Sequence, residues 1–276
     1  MCTLDGCDAG SDLPPIPLGS RERRLFLAGL ASLPLATVLS YPELAAAQAA
    51  RAEPLEIDLP DGGTVAGVVA MPETLPAPAV VLIHEWWGLN DQIKTMAAEL
   101  AALGYIAYAV DLYGGQVAET PDEARNLMGD VDPARARAQL VGAISHLREH
   151  EDATGKVGTI GWCFGGGWSI DASTAAPVDA TVVYYGRLPQ SADELASLQG
   201  PVLGHFGTED GSIDERMVGG FERAMAEAGK ADALDVNWYV ADHAFANPTG
   251  SRYDEENAEL AWSRTQTFFA RHLLAS

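Results

Sequence analysis

The chain has 276 residues, with 17 Lys+Arg against 39 Asp+Glu and a formal charge of −22. At 47% apolar and 20% charged it is of globular composition, which excludes collagen-like, coiled-coil and disordered classes. The acidity argues against nucleic acid and anionic membrane surfaces, both of which need clustered cations, and three cysteines exclude a disulfide framework.

The segment 1–49 reads as an export leader and 50–276 as a single domain. Arg23-Arg24 precedes Leu25-Phe26-Leu27, an apolar stretch runs over 25–39, and Ala47-Gln48-Ala49 fits an A-x-A cleavage site. The paired arginines resemble a twin-arginine signal. Two features depart from that pattern: a long acidic lead-in with Asp5, Asp8, Asp12 and Glu22, and no Lys after Leu27. The competing reading is an internal amphipathic helix. Cleavage after Ala49 removes Cys2 and Cys7 and leaves one cysteine, Cys163. The resemblance implies the twin-arginine export machinery as a partner and a periplasmic or secreted location, with a cytoplasmic one as the alternative. No stable membrane anchor is expected after processing, because the apolar stretch is too short to span.

After residue 50, strand and helix patterns alternate. Residues 65–69 follow the Asp61-Gly62-Gly63 turn as a short strand, and 79–83 form a continuous apolar run, hence a buried strand. A helix over 91–103 ends at Gly104. Strands are expected at 106–110, 157–160, 180–185, 201–206 and 234–240, and helices at 133–150, 163–172, 214–229 and 253–274. This alternation predicts an α/β fold, a doubly wound and mostly parallel sheet with helices on both faces. In such sheets the chemistry gathers beyond the carboxyl ends of the strands.

Gly161-Trp162-Cys163-Phe164-Gly165 follows one strand and opens a helix, a nucleophile-elbow pattern with Cys in the Ser position. A glycine-rich phosphate loop fits poorly, since neither G-x-G-x-x-G nor a G-K-[ST] ending is present. Asp210 follows the 201–206 strand and His243 the 234–240 strand, giving the chain order nucleophile, acid, histidine of α/β-hydrolases. His243 would remove the thiol proton and Asp210 would fix its tautomer. Glu209 is the rival acid. Glu85, in His84-Glu85-Trp86-Trp87-Gly88 after the 79–83 strand, is a carboxylate in an aromatic setting and a candidate for a perturbed pKa. The backbone N–H groups of Trp86 and Phe164 are the expected oxyanion donors. Trp87, Tyr113 and Phe245 are candidates for the substrate pocket.

Together with Asp111-Leu112-Tyr113, Phe206-Gly207-Thr208-Glu209-Asp210 and His243-Ala244-Phe245, these motifs resemble the dienelactone hydrolase family of cysteine α/β-hydrolases over residues 55–274. The resemblance implies Cys163 as nucleophile, His243 as base, Asp210 as orienting acid, and a Glu85 that interacts with the cysteine and helps generate the thiolate. It implies hydrolysis of a small ester or lactone with no cofactor and no metal. Family members that act on dienelactone hold the substrate carboxylate with arginines, and Asn247 and Gly114-Gly115 stand at those places here. The competing functions are a non-catalytic binding protein of the same fold and a thiol redox sensor at Cys163. His146 and His150 are read as a solvated helix face, and His205 as a packed core residue.

Overall fold

A computed structural model describes residues 35–60 and 62–275. The arginine pair, Cys2, Cys7 and Asp61 lie outside the described residues.

Eight strands make one sheet: β1 (Glu53–Asp58), β2 (Thr64–Ala70), β3 (Ala77–Ile83), β4 (Ile106–Val110), β5 (Ala153–Trp162), β6 (Ala180–Tyr184), β7 (Val202–Gly207) and β8 (Leu234–Tyr239). Their order is β1-β2-β4-β3-β5-β6-β7-β8. The β1–β2 and β2–β4 pairs are antiparallel, and every pair from β4 to β8 is parallel. β3 reads APAVVLI and is buried at every position, as a strand covered on both faces must be. Its side chains alternate: Val80 and Leu82 join one core, Val81 and Ile83 the other.

The helices are α1 (Leu35–Ser40), α2 (Pro42–Ala49), α3 (Asp91–Ala102), α4 (Pro121–Asp130), α5 (Pro133–Glu149), α6 (Phe164–Ala175), α7 (Glu215–Glu227) and α8 (Glu255–Phe269). α3 and α8 cover one face through Ile93, Ala97, Ala261 and Phe268. α5, α6 and α7 cover the other through Leu140, Ile144, Ala172, Ile170 and Phe221. Asn90, Thr120, Asp132, Asp214 and Asp254 each cap a helix by accepting a backbone N–H of its first turn. The doubly wound α/β architecture expected from the sequence is the one observed.

Several elements differ from expectation. β1 and α4 are additional, β5 starts at Ala153, and the chain's last turn, Ala270–Leu274, is a π-helix. Residues 35–49, assigned to the leader, form α1 and α2 and lie against α3. Leu39 and Ala45 join the α3-side core, and Thr95 Oγ1 donates to the Ala45 carbonyl at 3.0 Å. Among the described residues no helix is long and apolar enough to cross a membrane. His205 is fully buried, with Nδ1 2.8 Å from the Tyr239 hydroxyl and Nε2 3.0 Å from Thr265 Oγ1. Burial, helped by the nearby Arg264 charge, pushes its pKa down to about 3, so it is a neutral core residue.

The seat of α6 is polar. Ser169 Oγ lies 2.9 Å from Thr159 Oγ1 on β5 and 3.0 Å from the Val182 carbonyl on β6. Thr181 donates to Ser173 Oγ at 2.7 Å, and Ser173 donates back to the Ser169 carbonyl at 2.8 Å. All four hydroxyl residues are fully buried, so each bond is sheltered from water and the cluster fixes the helix against two strands. Removing one member leaves buried partners unpaired, which costs about 1–3 kcal/mol. Ser169→Ala is expected to lose that much stability in urea unfolding; a loss below about 0.5 kcal/mol would show that the cluster does not hold the helix.

Candidate active site

β5 ends at Trp162, α6 begins at Phe164, and Cys163 alone makes the turn between them, at φ 53° and ψ −114°. That is a sparsely populated conformation for a side-chain-bearing residue, costing of the order of 1–3 kcal/mol. Its neighbours explain how the turn closes. A Cβ on Gly161 would run into the Gly165 carbonyl, and a Cβ on Gly165 into the carbonyl of Ile83 on β3. The Cys163 N–H donates to the Tyr184 carbonyl at 3.0 Å, which ties the turn to β6. The Phe164 N–H is the first of α6, in the turn whose amides have no partner within the helix.

The three loop residues converge. His243 Nε2 lies 3.1 Å from Cys163 Sγ, and His243 Nδ1 lies 2.7 Å from Asp210 Oδ2. The other Asp210 oxygen accepts the N–H groups of Ser212 at 2.7 Å and Ile213 at 3.0 Å. Burial alone would raise the Asp210 pKa. The hydrogen bonds from His243 and Ile213 and the His243 charge outweigh it, so the carboxyl sits below its usual range. Burial likewise opposes the charged form of His243. Hydrogen bonds to Asp210 and Cys163, and their negative charges, win and raise the imidazole to about 10. The rival acid Glu209 is exposed, whereas Asp210 is buried.

Glu85 is buried at 2% exposure. Asn247 Nδ2 donates to Oε2 at 2.5 Å and the Tyr185 hydroxyl to Oε1 at 3.2 Å. Desolvation dominates over these two donors and raises the carboxyl above its ordinary pKa. Among the described residues no hydrogen bond joins Glu85 to Cys163; its bonds run to Asn247 and Tyr185. Asn247 itself is buried, its Oδ1 accepting from Thr249, and the Gly115 N–H donates to the Asp111 carboxylate. His84 holds the turn that carries Glu85. Its Nε2 accepts the Leu112 N–H at 3.2 Å, so the proton lies on Nδ1, 2.6 Å from the Glu85 carbonyl.

Cys163 and His243 open onto a cleft of about 1140 Å³. Trp86 and Phe164 line it, together with Trp168, Tyr185, Leu188 and Met217. Arg137 reaches it paired to Asp171. The three residues expected at the pocket do not line it. Phe245 is wholly buried, with its ring against Tyr185 and Tyr239. Tyr113 is buried against His84 and donates to the Trp86 carbonyl at 3.2 Å. Trp87 stacks edge-on against Trp86 from outside the cleft. All three follow a strand, but the side chains of Phe245 and Tyr113 are buried in supporting structure and that of Trp87 is only partly buried. Tyr185 was missed, although its signal is the same: it directly follows the carboxyl end of β6.

Comparison with known proteins agrees with this frame. A carboxymethylenebutenolidase of Pseudomonas putida is 30% identical over 79% of this chain and 96% of its own length. Protein usf of Aquifex pyrophilus is 31% identical over 77% of the chain and 96% of its own length. Among solved structures, a dienelactone hydrolase-like promiscuous phosphotriesterase from metagenomic libraries, P91, superposes with a TM-score of 0.69 at 27% identity, covering 81% of this chain and 99% of its own. The family model for dienelactone hydrolases matches residues 65–273, from β2 to the final π-helical turn, so the strand-end loops that carry Cys163, Asp210 and His243 all fall inside it, and the chain belongs to the dienelactone hydrolase family.

Proposed function

We propose that the chain is an ester or lactone hydrolase that works by acyl transfer to Cys163. The observation that carries this reading is the unbroken line from Cys163 Sγ through His243 to Asp210, at 3.1 and 2.7 Å, opening onto an aromatic cleft. The carboxymethylenebutenolidase relative supports a small lactone as substrate class. In the first half-reaction the sulfur bonds to the acyl carbon while His243 holds the thiol proton. The N–H groups of Phe164 and Trp86 stabilise the oxyanion. The acyl carbon–oxygen bond then breaks and the leaving oxygen takes the proton from His243. In the second half-reaction His243 takes a proton from water, hydroxide oxygen bonds to the acyl carbon, the thioester breaks, and the proton returns to sulfur. Asp210 keeps the imidazole in the right tautomer throughout.

We further propose that residues 1–49 are an export leader of the twin-arginine type and that 50–276 act outside the cytoplasm. Arg23-Arg24 and Ala47-Gln48-Ala49 support this reading. The intact mass of protein recovered from a periplasmic fraction tests it. A chain starting at Ala50 is expected; an intact chain confined to the cytoplasm would overturn it.

Stopped-flow hydrolysis of p-nitrophenyl acetate and small lactones tests the chemistry. A stoichiometric burst is expected in the wild type, absent in Cys163→Ala with kcat/KM lowered on the order of 10³-fold or more. No burst and no turnover in the wild type, with iodoacetamide reacting no faster than with a free thiol, would overturn the reading in favour of a binding protein.

The His243 proton gives a pH test. Its pKa is raised, so the charged form persists up to about pH 10 and is lost above it. The leaving oxygen needs that proton, so the basic limb of kcat/KM is expected near pH 10. Asp210→Asn removes the opposing charge, so the limb is expected to move toward the ordinary histidine range while the rate falls by about 10²-fold or more. A limb that stays in place would remove Asp210 from the mechanism.

A further inference from the structure

Ala47-Gln48-Ala49, the residues that fit a cleavage site, form the last turn of α2. Gln48 is 2% exposed and Ala49 5%. The peptide bond after Ala49 is engaged at both ends. Its N–H, on Ala50, donates to the Ala46 carbonyl at 3.0 Å, and its C=O, on Ala49, accepts the Ala52 N–H at 3.0 Å. α2 is itself held to α3. Ala45 packs in the core on that side, the Thr95 hydroxyl donates to the Ala45 carbonyl at 3.0 Å, and the charge of Arg51 acts on Glu99. Downstream, β1 begins at Glu53, which pairs with Val69 of β2. Only residues 50–52 lie between the docked helix and the sheet.

Cleavage here is the hydrolysis of one amide: water gives its hydroxyl to the Ala49 carbonyl carbon and a proton to the Ala50 nitrogen. A peptidase must reach that carbonyl and hold the residues around it in an extended form, which is why chains are cut at exposed, weakly bonded segments. In this chain the residues before the bond are helical, with Gln48 and Ala49 buried, and those after it enter the sheet at Glu53. We propose, on the reading of residues 1–49 as an export leader, that docking of α2 on α3 withholds the Ala49–Ala50 bond from a leader peptidase. The leader is then removed only from chains in which α2 has left α3, and a chain that has docked α2 keeps it. Cleavage samples a locally opened state, so its rate is that of the free segment multiplied by the fraction of chains that are open. α2 has 8 residues, too few to persist as a helix away from α3, so the opened segment is free to extend.

A bacterial leader peptidase in detergent micelles is the probe, with cleavage followed by intact mass. Its substrates are the full-length chain and a synthetic peptide spanning residues 35–56. The peptide is expected to be cut after Ala49, and the full chain at least about tenfold more slowly. Thr95→Val removes the hydroxyl that holds Ala45 and leaves the cleavage segment untouched. It is expected to speed cleavage of the full chain by roughly two- to tenfold. Ala45→Asp places a charge in the core and is expected to bring the full chain close to the rate of a peptide carrying the same substitution. Each variant is read only if its far-UV spectrum and urea midpoint stay near those of the wild type, which shows that the sheet is intact. A full chain cut as fast as the peptide, or folded variants as resistant as the wild type, would overturn the proposal. A peptide not cut after Ala49 would overturn the leader reading itself, and the protection of the bond would lose its meaning with it, so the two failures are distinguishable.

Discussion

The backbone of one residue organises this molecule. Cys163 carries φ 53° in a single-residue turn between a strand and a helix. The turn closes only because Gly161 and Gly165 lack the atoms that would strike the chain, one against α6 and one against β3. The strain is confined by rigid neighbours. β5 is hydrogen-bonded on both sides, by β3 and β6, and α6 is fastened to the sheet by buried hydroxyls. The thiol therefore projects from a fixed point toward the loops that follow β7 and β8. Asp210 and His243 reach it because the parallel strands β7 and β8 end at the same edge of the sheet.

Environment then divides the ionisable groups around that point. Asp210 has two backbone N–H donors and an imidazole, so its charge is compensated although it is buried. Glu85 is as buried, but its partners are an amide and a phenol, both neutral, and its charged form is disfavoured. His243 lies next to two groups that favour its proton. Two carboxyls and a histidine within one small volume thus have pKa values pushed apart by different neighbours, the usual means of assigning separate tasks to similar groups.

Much of this was legible in the sequence where one residue type or one run had a single physical solution. The apolar run at 79–83 reads as a buried strand, and a cysteine between Gly161 and Gly165 after a strand reads as a sharp turn. β1 was not legible: EPLEID carries carboxylates on the exposed side and only Ile57 is buried, so no apolar period stands out. α4 announces itself by a capping box at Thr120 and Glu123, a signal that its polar, weakly apolar body obscured. The pocket residues failed for another reason. Trp87, Tyr113 and Phe245 sit at the right strand ends, but the direction of a loop side chain depends on neighbours distant in sequence, such as the Tyr239 that receives Phe245. The bonding of Glu85 to Asn247, 162 positions away, is of the same kind.

The position of Leu39 has a bearing on time as well as space. It is a buried residue of α1 and lines a hollow of about 270 Å³ between α3 and α8, yet it lies upstream of Ala47-Gln48-Ala49. A chain that loses its first 49 residues keeps every member of the Cys163, His243 and Asp210 line and loses Leu39 from the lining of that hollow. The same loss would strip Leu39 and Ala45 from the core beside α3 and leave Thr95 without the Ala45 carbonyl it donates to, so the helix that those residues cover would meet water along an apolar stripe.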